Sequence, residues 1–179
     1  MNHYSRSKVT NDNAIVIADL IDADEIHVIK FDQNYNNPKL RKEYKMRGST
    51  KIYSLPVGSY RQVVFLTEPG IYFISNADYK FGNTRYYTTQ SGLTPEGEVI
   101  YGAFELKQGD TIYIGDIQFN WNNSDKPVTI VSRYNAVKSD LLASVNYKEL
   151  ASKVKPAKFY GSGSIINVDA NGDAHIVAP

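Results

Sequence analysis

At 179 residues the chain has room for one domain with a real core, and 42% hydrophobic against 22% charged residues is an ordinary globular balance. Its 20 basic and 19 acidic residues nearly cancel, so no global field draws in nucleic acid or an anionic bilayer. The absence of cysteine removes disulfides, thiolate metal sites and cysteine nucleophiles together, and no apolar run approaches the ~20 residues that cross a bilayer as a helix.

The opening "MNHYSRSKVTNDN" (1–13) is polar throughout and reads as a disordered tether. Either the chain is a complete cytosolic protein, or an export segment and a membrane anchor precede it. The tether-like opening favours the second. "AIVIADLIDADEIHVIKFD" (14–32) then predicts two strands, near 14–20 and 25–32, joined by a turn at Asp22 to Asp24. The polar stretch 33–50 reads as a long excursion between strands.

From residue 50 onward, short runs of β-formers recur between Gly, Pro, Asn and Asp. They are "TKIYSL" (50–55), "SYRQVVFL" (59–66), "GIYFIS" (70–75), "RYYTTQ" (85–90), "EVIYGAFEL" (98–106), "TIYIGDIQF" (111–119) and "PVTIVSRY" (127–134). The intervals are too irregular for a propeller or a solenoid, and they predict a mainly β, antiparallel sandwich of immunoglobulin-like or related type. In "TIYIGDIQFNW" a bulge at Gly115 would change the side-chain parity. Ile112 and Ile114 would then share a core with Ile117, Phe119 and Trp121.

After Tyr134 the period lengthens. Val137, Leu141 and Val145 fall four apart, as do Leu150 and Val154, and this predicts a helical segment near 137–154. It should be broken near Asn146, where Asn146 and Glu149 have capping-box spacing. "YGSGS" (160–164) reads as a flexible joint. "IINVDANGDAHIVAP" alternates on both sides of Asn171–Gly172 and predicts a terminal hairpin, pairing with an edge of this domain or of a neighbour.

No catalytic constellation is legible. His3, His27 and His175 share no local metal spacing, and neither a nucleophile elbow nor a phosphate loop occurs. The acidic groups Asp22, Asp24 and Glu25, and Glu96 with Glu98, sit in turn-like contexts. "DANGD" (169–173) spaces Asp169, Asn171 and Asp173 like the start of a calcium loop, but the glycine and the later glutamate of such a loop are missing, so turn chemistry is the plainer reading and a weak cation site the alternative. No cofactor is expected.

Three places offer a binding surface. "KLRKEYKMR" (39–47) sets Arg41 and Lys42 beside Tyr44, a basic and aromatic face suited to an acidic polymer or a lipid headgroup. Tyr86 and Tyr87, with Tyr72, Tyr79, Tyr101 and Tyr113, could line an aromatic groove for sugar or peptide. Asp116, next to Gly115, could present a carboxylate at a pocket. The plainer reading is that the tyrosines fill and rim the sandwich, that the basic run is a solvated face, and that Gly115 serves only the bulge.

"YSLPVGSYRQVVF" (53–65) and "FELKQGDTIYIGDIQF" (104–119) resemble a layout found in small bacterial envelope lipoproteins of unknown function. Pro56, Gly58 and Tyr60 fill one motif, and Gly109, Asp110, Tyr113, Gly115 and Asp116 the other, over roughly residues 50–155. The resemblance implies a non-enzymatic, lipid-tethered periplasmic or surface domain that binds or scaffolds a protein or an envelope polymer. It also implies an acylated cysteine near the mature start, which this sequence does not contain. The competing expectations are a carbohydrate- or peptide-binding module and a hydrolase assembled from distant Asp, Glu and His.

Overall fold

In the computed structural model, residues 2–3, 8–47, 49–50, 60–123 and 126–179 are described. The apolar run at 14–21 has to be buried on both faces, and it becomes the centre of a sheet. Here β2 (Ala14–Ile21) lies between β6 (Tyr60–Thr67) and β10 (Thr111–Phe119). Outside these run β1 (Asn2–His3) and β5 (Ser49–Thr50) on β6, and β11 (Val128–Val131) and β12 (Lys155–Pro156) on β10. The second sheet runs in the order β13 (Phe159–Tyr160), β9 (Ala103–Leu106), β7 (Gly70–Phe81), β3 (Glu25–Lys30), β4 (Glu43–Arg47), with β8 (Thr84–Tyr87) also on β7.

The architecture is mainly β, as expected, and most pairings are antiparallel. Among the described residues two are parallel: β2 with β10, and β12 with β10. One apolar cluster joins the inner faces of the two sheets. Val16, Ala18, Leu20, Val63 and Phe65 come from the first, and Ile26, Val28, Tyr72, Ile74 and Phe104 from the second. Burying a side chain the size of Phe65 or Phe104 is worth about 1.5–3 kcal/mol.

The Gly115 bulge is present. Register between β10 and β2 shifts between Tyr113 and Asp116, and Gly115 has φ +115°. Ile112, Ile114, Ile117 and Phe119 all reach the inner core, and Trp121 packs against it. Tyr113 takes the other face.

Each outer face carries its own cover. Over the first sheet lie α1 (Tyr134–Ala143) and a short 3-10 turn (Lys148–Leu150). They bring Val137, Leu141, Leu150 and Val154 onto Ile15, Ile17, Val64, Leu66 and Tyr113. The break expected near Asn146 is there, but the capping box is not: the short turn starts after Tyr147 and has no side-chain cap. The four-residue stripe ends at Leu141, because Ser144 adopts an extended conformation and leaves Val145 96% exposed.

Over the second sheet lies the terminal hairpin of β14 (Ile165–Val168) and β15 (Ala174–Val177). Ile166, Ala174 and Ile176 cover Ile29, Ile71, Phe73, Leu93 and Val99, so the hairpin packs on its own chain. The segment 160–164, expected as a flexible joint, is instead tied down. The Gly163 N–H donates to Val99 O (3.0 Å), the Val99 N–H donates to Ser164 O (2.7 Å), and Ser164 is buried.

Other expectations change in detail. Part of the supposed tether, Asn2–His3, pairs with β6, while residues 1 and 4–7 lie outside the described residues. The 33–50 excursion contains β4, which completes an edge by pairing with β3. The strand expected at 98–106 is shorter. Gly102 at φ +148° turns the chain into β9, and Glu98 and Val99 bridge to Ile165 and Leu93 instead. Of "TKIYSL" only Thr50, at the end of β5, is described; residues 51–55 and the Pro56 and Gly58 positions lie outside the described residues.

Candidate functional site

A cavity of about 670 Å³ opens on the outer face of the second sheet beside the terminal hairpin. One wall follows the end of β3. There the Phe31 N–H donates to Ile71 O (2.8 Å), and the Asp32 carboxylate accepts the Asn34 N–H (2.8 Å) in an Asx turn. The turn folds Tyr35 back on Phe31, with ring centroids 4.5 Å apart and nearly parallel planes, and Tyr35 also meets Phe73 edge-on at 6.3 Å. Alternation along β9 puts Glu105 opposite Ile71 on this same outer face, while its neighbours Phe104 and Leu106 enter the inner core.

The opposite wall is the hairpin turn. Asp169 accepts the N–H groups of Asn171 (2.8 Å) and Asp173 (2.9 Å), and its other oxygen faces His175. The Asp173 N–H and its companions hold the Asp169 carboxyl below the usual carboxylate range. The calcium-like spacing is thus spent on turn chemistry, and its result is to bring Asp173 to the cavity. Asp32, Glu105 and Asp173 are the charged residues of the described lining, and Phe31, Tyr35, Ile71, Val168 and Ala174 make up its apolar part.

The surface residues expected from sequence fall in three separate places. Arg41 pairs with Glu43 (2.7 Å) and Lys42 with Glu68 (2.9 Å), both at the edge formed by β4. Glu68 also takes Lys30 (2.9 Å), and the Lys30 and Lys42 ammoniums bring its carboxyl down to about 2. The same hydrogen bond and charge hold the Lys42 ammonium above its ordinary value. Tyr44 turns inward, with its ring 6.1 Å from that of Tyr72, and burial raises its phenol.

Tyr86 and Tyr87 lie on β8, at the far end of β7. Tyr86 joins a ring cluster with Tyr79 and Trp121, and Tyr87 is 66% exposed. Of the other tyrosines, Tyr72, Tyr101 and Tyr113 are buried, so the six do not line one groove. Tyr101 and Tyr87 do border a small cavity of about 170 Å³ with Phe119 and Trp121.

Asp116 lies on the first sheet, 1% exposed, and it lines none of these cavities. Its carboxylate accepts hydrogen bonds from the Tyr113 hydroxyl and from Arg133 Nε. Burial, then Asp116, push the Tyr113 phenol up. The bulge therefore directs a carboxylate into a buried ion pair under α1.

Asp32 and Glu105 carry no short motif and went unmarked in the sequence. The legible signals are the Asp32–Asn34 turn spacing and one acid in the alternation "AFEL".

A third hollow, about 420 Å³, is polar. Here His27 stands between Glu25 (2.9 Å) and Glu43 (3.1 Å), and Glu25 also takes Arg47 (3.0 Å). Burial works to raise the Glu43 carboxyl, but the hydrogen bonds from Arg41 and His27 leave it below its ordinary value. Among the described residues, no three His, Asp or Glu side chains are placed to hold a metal ion.

No protein-family model and no curated protein matches the chain. Among solved structures it is similar to a leucine-rich repeat protein from Bacteroides thetaiotaomicron VPI-5482, at 10% identity and a TM-score of 0.35. That match covers 93% of this chain and 22% of the other, so the chain spans under a quarter of that protein's length.

Proposed function

We propose that this is a non-enzymatic binding domain, and that it binds in the groove between the 31–35 turn and the terminal hairpin. The observation that carries the reading is the groove itself. It has the volume of a ligand site, a partly aromatic lining and a few polar groups on rigid turns. Among the described residues its lining includes no serine, threonine, cysteine, histidine or lysine, and so none of the commonest nucleophiles and bases for acyl transfer. A location in the bacterial cell envelope, with a lipid tether ahead of the chain, rests on the resemblance carried by Gly109, Asp110, Tyr113, Gly115 and Asp116.

The test is a panel of peptides, glycans and esters, followed by NMR for shifts at 31–35, Glu105 and 172–174 and by mass analysis for products. Groove shifts without product support the reading. Turnover that disappears in Glu105→Gln or Asp116→Ala overturns it.

A further inference from the structure

We infer that the groove takes a basic peptide segment, with lysine or arginine side chains set against its carboxylates. This rests on the binding reading above and names its ligand. Twelve of the described residues line the cavity, and three of them, Asp32, Glu105 and Asp173, are acids, while none is Lys, Arg or His. In a chain of net charge +1, this is a local concentration of negative potential. Among the described residues the carboxylates of Glu105 and Asp173 take no ion pair and no side-chain hydrogen bond, and that of Asp32 accepts the Asn34 N–H.

Among the described residues two lysines stand near the groove: Lys42, which interacts with the Asp32 charge and whose ammonium Glu68 holds, and Lys30. Lys30 is opposite Tyr72, whose side chain enters the inner core, whereas Ile29 and Phe73 mark the outer face on which the groove lies. The Lys30 ammonium is held by Glu68.

The three acids come from three different elements, and no trio of the described acids and histidines converges on a metal site. They suit charges spread along a ligand better than one ion. The stacked Phe31 and Tyr35 rings add apolar surface for a side-chain stem and a π face for its charged end. A volume of about 670 Å³ exceeds what one amine fills and accommodates a short extended segment.

The test uses the full chain, 15N-labelled. The probes are a blocked Lys-Ala-Lys-Ala-Lys peptide, the same peptide with every lysine acetylated, and a neutral oligosaccharide, maltotetraose. The basic peptide should shift Asp32 to Tyr35, Glu105 and Asp173, and its affinity should fall about ten-fold between low and high salt as screening shortens the field. Glu105→Gln with Asp173→Asn, both at exposed positions that leave the core untouched, should weaken it by a similar factor. Equal shifts from the acetylated peptide, or groove shifts from the oligosaccharide without the basic peptide, overturn the inference and leave the binding reading standing. Basic-peptide binding that is insensitive to salt and to the double substitution also overturns it. Turnover of any probe overturns the binding reading instead.

Discussion

Replacing Gly115 by alanine tests the bulge on which the inner core and the Asp116 ion pair both depend. The residue sits at φ +115°, which an L side chain rarely adopts, and a Cβ there would lie 2.8 Å from Ile130 Cγ2. Such backbone strain costs on the order of 1–3 kcal/mol. A smaller unfolded-state ensemble returns about 0.4–1 kcal/mol. The Ile130 contact adds to the cost, because β11 must give way at its register with Ile117. Gly115→Ala should therefore lose about 2 kcal/mol, or roughly 4–8 °C in Tm for a domain of this size.

Urea unfolding read by fluorescence measures this directly. The single tryptophan, Trp121, packs on Phe119 just beyond the bulge and donates to Asp22 O (2.7 Å). Gly161→Ala is the control, since nothing lies within 4 Å of its added Cβ and its φ is not positive. It should stay within about 0.5 kcal/mol of the parent. A Gly115→Ala protein as stable as Gly161→Ala would refute the reasoning and show that β10 can pass the site without a bulge.

Arg133→Met should cost more than Asp116→Asn, on the order of 3 kcal/mol by urea denaturation. The first leaves a carboxylate buried at 1% exposure, while the second leaves a guanidinium that is 38% exposed and can turn to water. Ile166→Ala should lose about 2–4 kcal/mol and speed hydrogen exchange at the Val99 amide, because Ile166 seals the hairpin onto the second sheet. Glu68 gives a pH signature. Its folded value of about 2 lies below the ordinary 4.5, so its contribution is full above 4.5 and is lost as pH falls toward 2. Half-exposed as it is, it should be worth well under about 1 kcal/mol. Denaturation curves at pH 6 and pH 3 should therefore draw the parent and Glu68→Gln together at the lower pH. A gap that widens on acidification would contradict this sign.

Much of the β framework could be read from the chain because it is local. Alternation at "SYRQVVFL" and "TIYIGDIQF", turn residues between the runs, and the four-residue spacing of Val137 and Leu141 each reflect a preference of a short segment. The bulge was legible for the same reason, since glycine between two apolar pairs of opposite parity has few other solutions. β4 was missed because "EYKMR" alternates with only Met46 fully buried, which in isolation looks like a solvated run. Val145 was misassigned because the spacing does not show that Ser144 leaves the helix.

By itself the sequence determined a cysteine-free, mainly β domain with a late helix and a closing hairpin. Side-chain period and turn chemistry act over a few residues and need no partner. Only the tertiary structure decided what those pieces face. It set β2 parallel to β10, turned Tyr44 inward and tied Asp116 to Arg133. It also brought Asp32, Glu105 and Asp173 to one groove although they are far apart in the chain. Such juxtapositions come from packing the two sheets on a common core and docking the hairpin on the outer face of the second, and no local pattern encodes them.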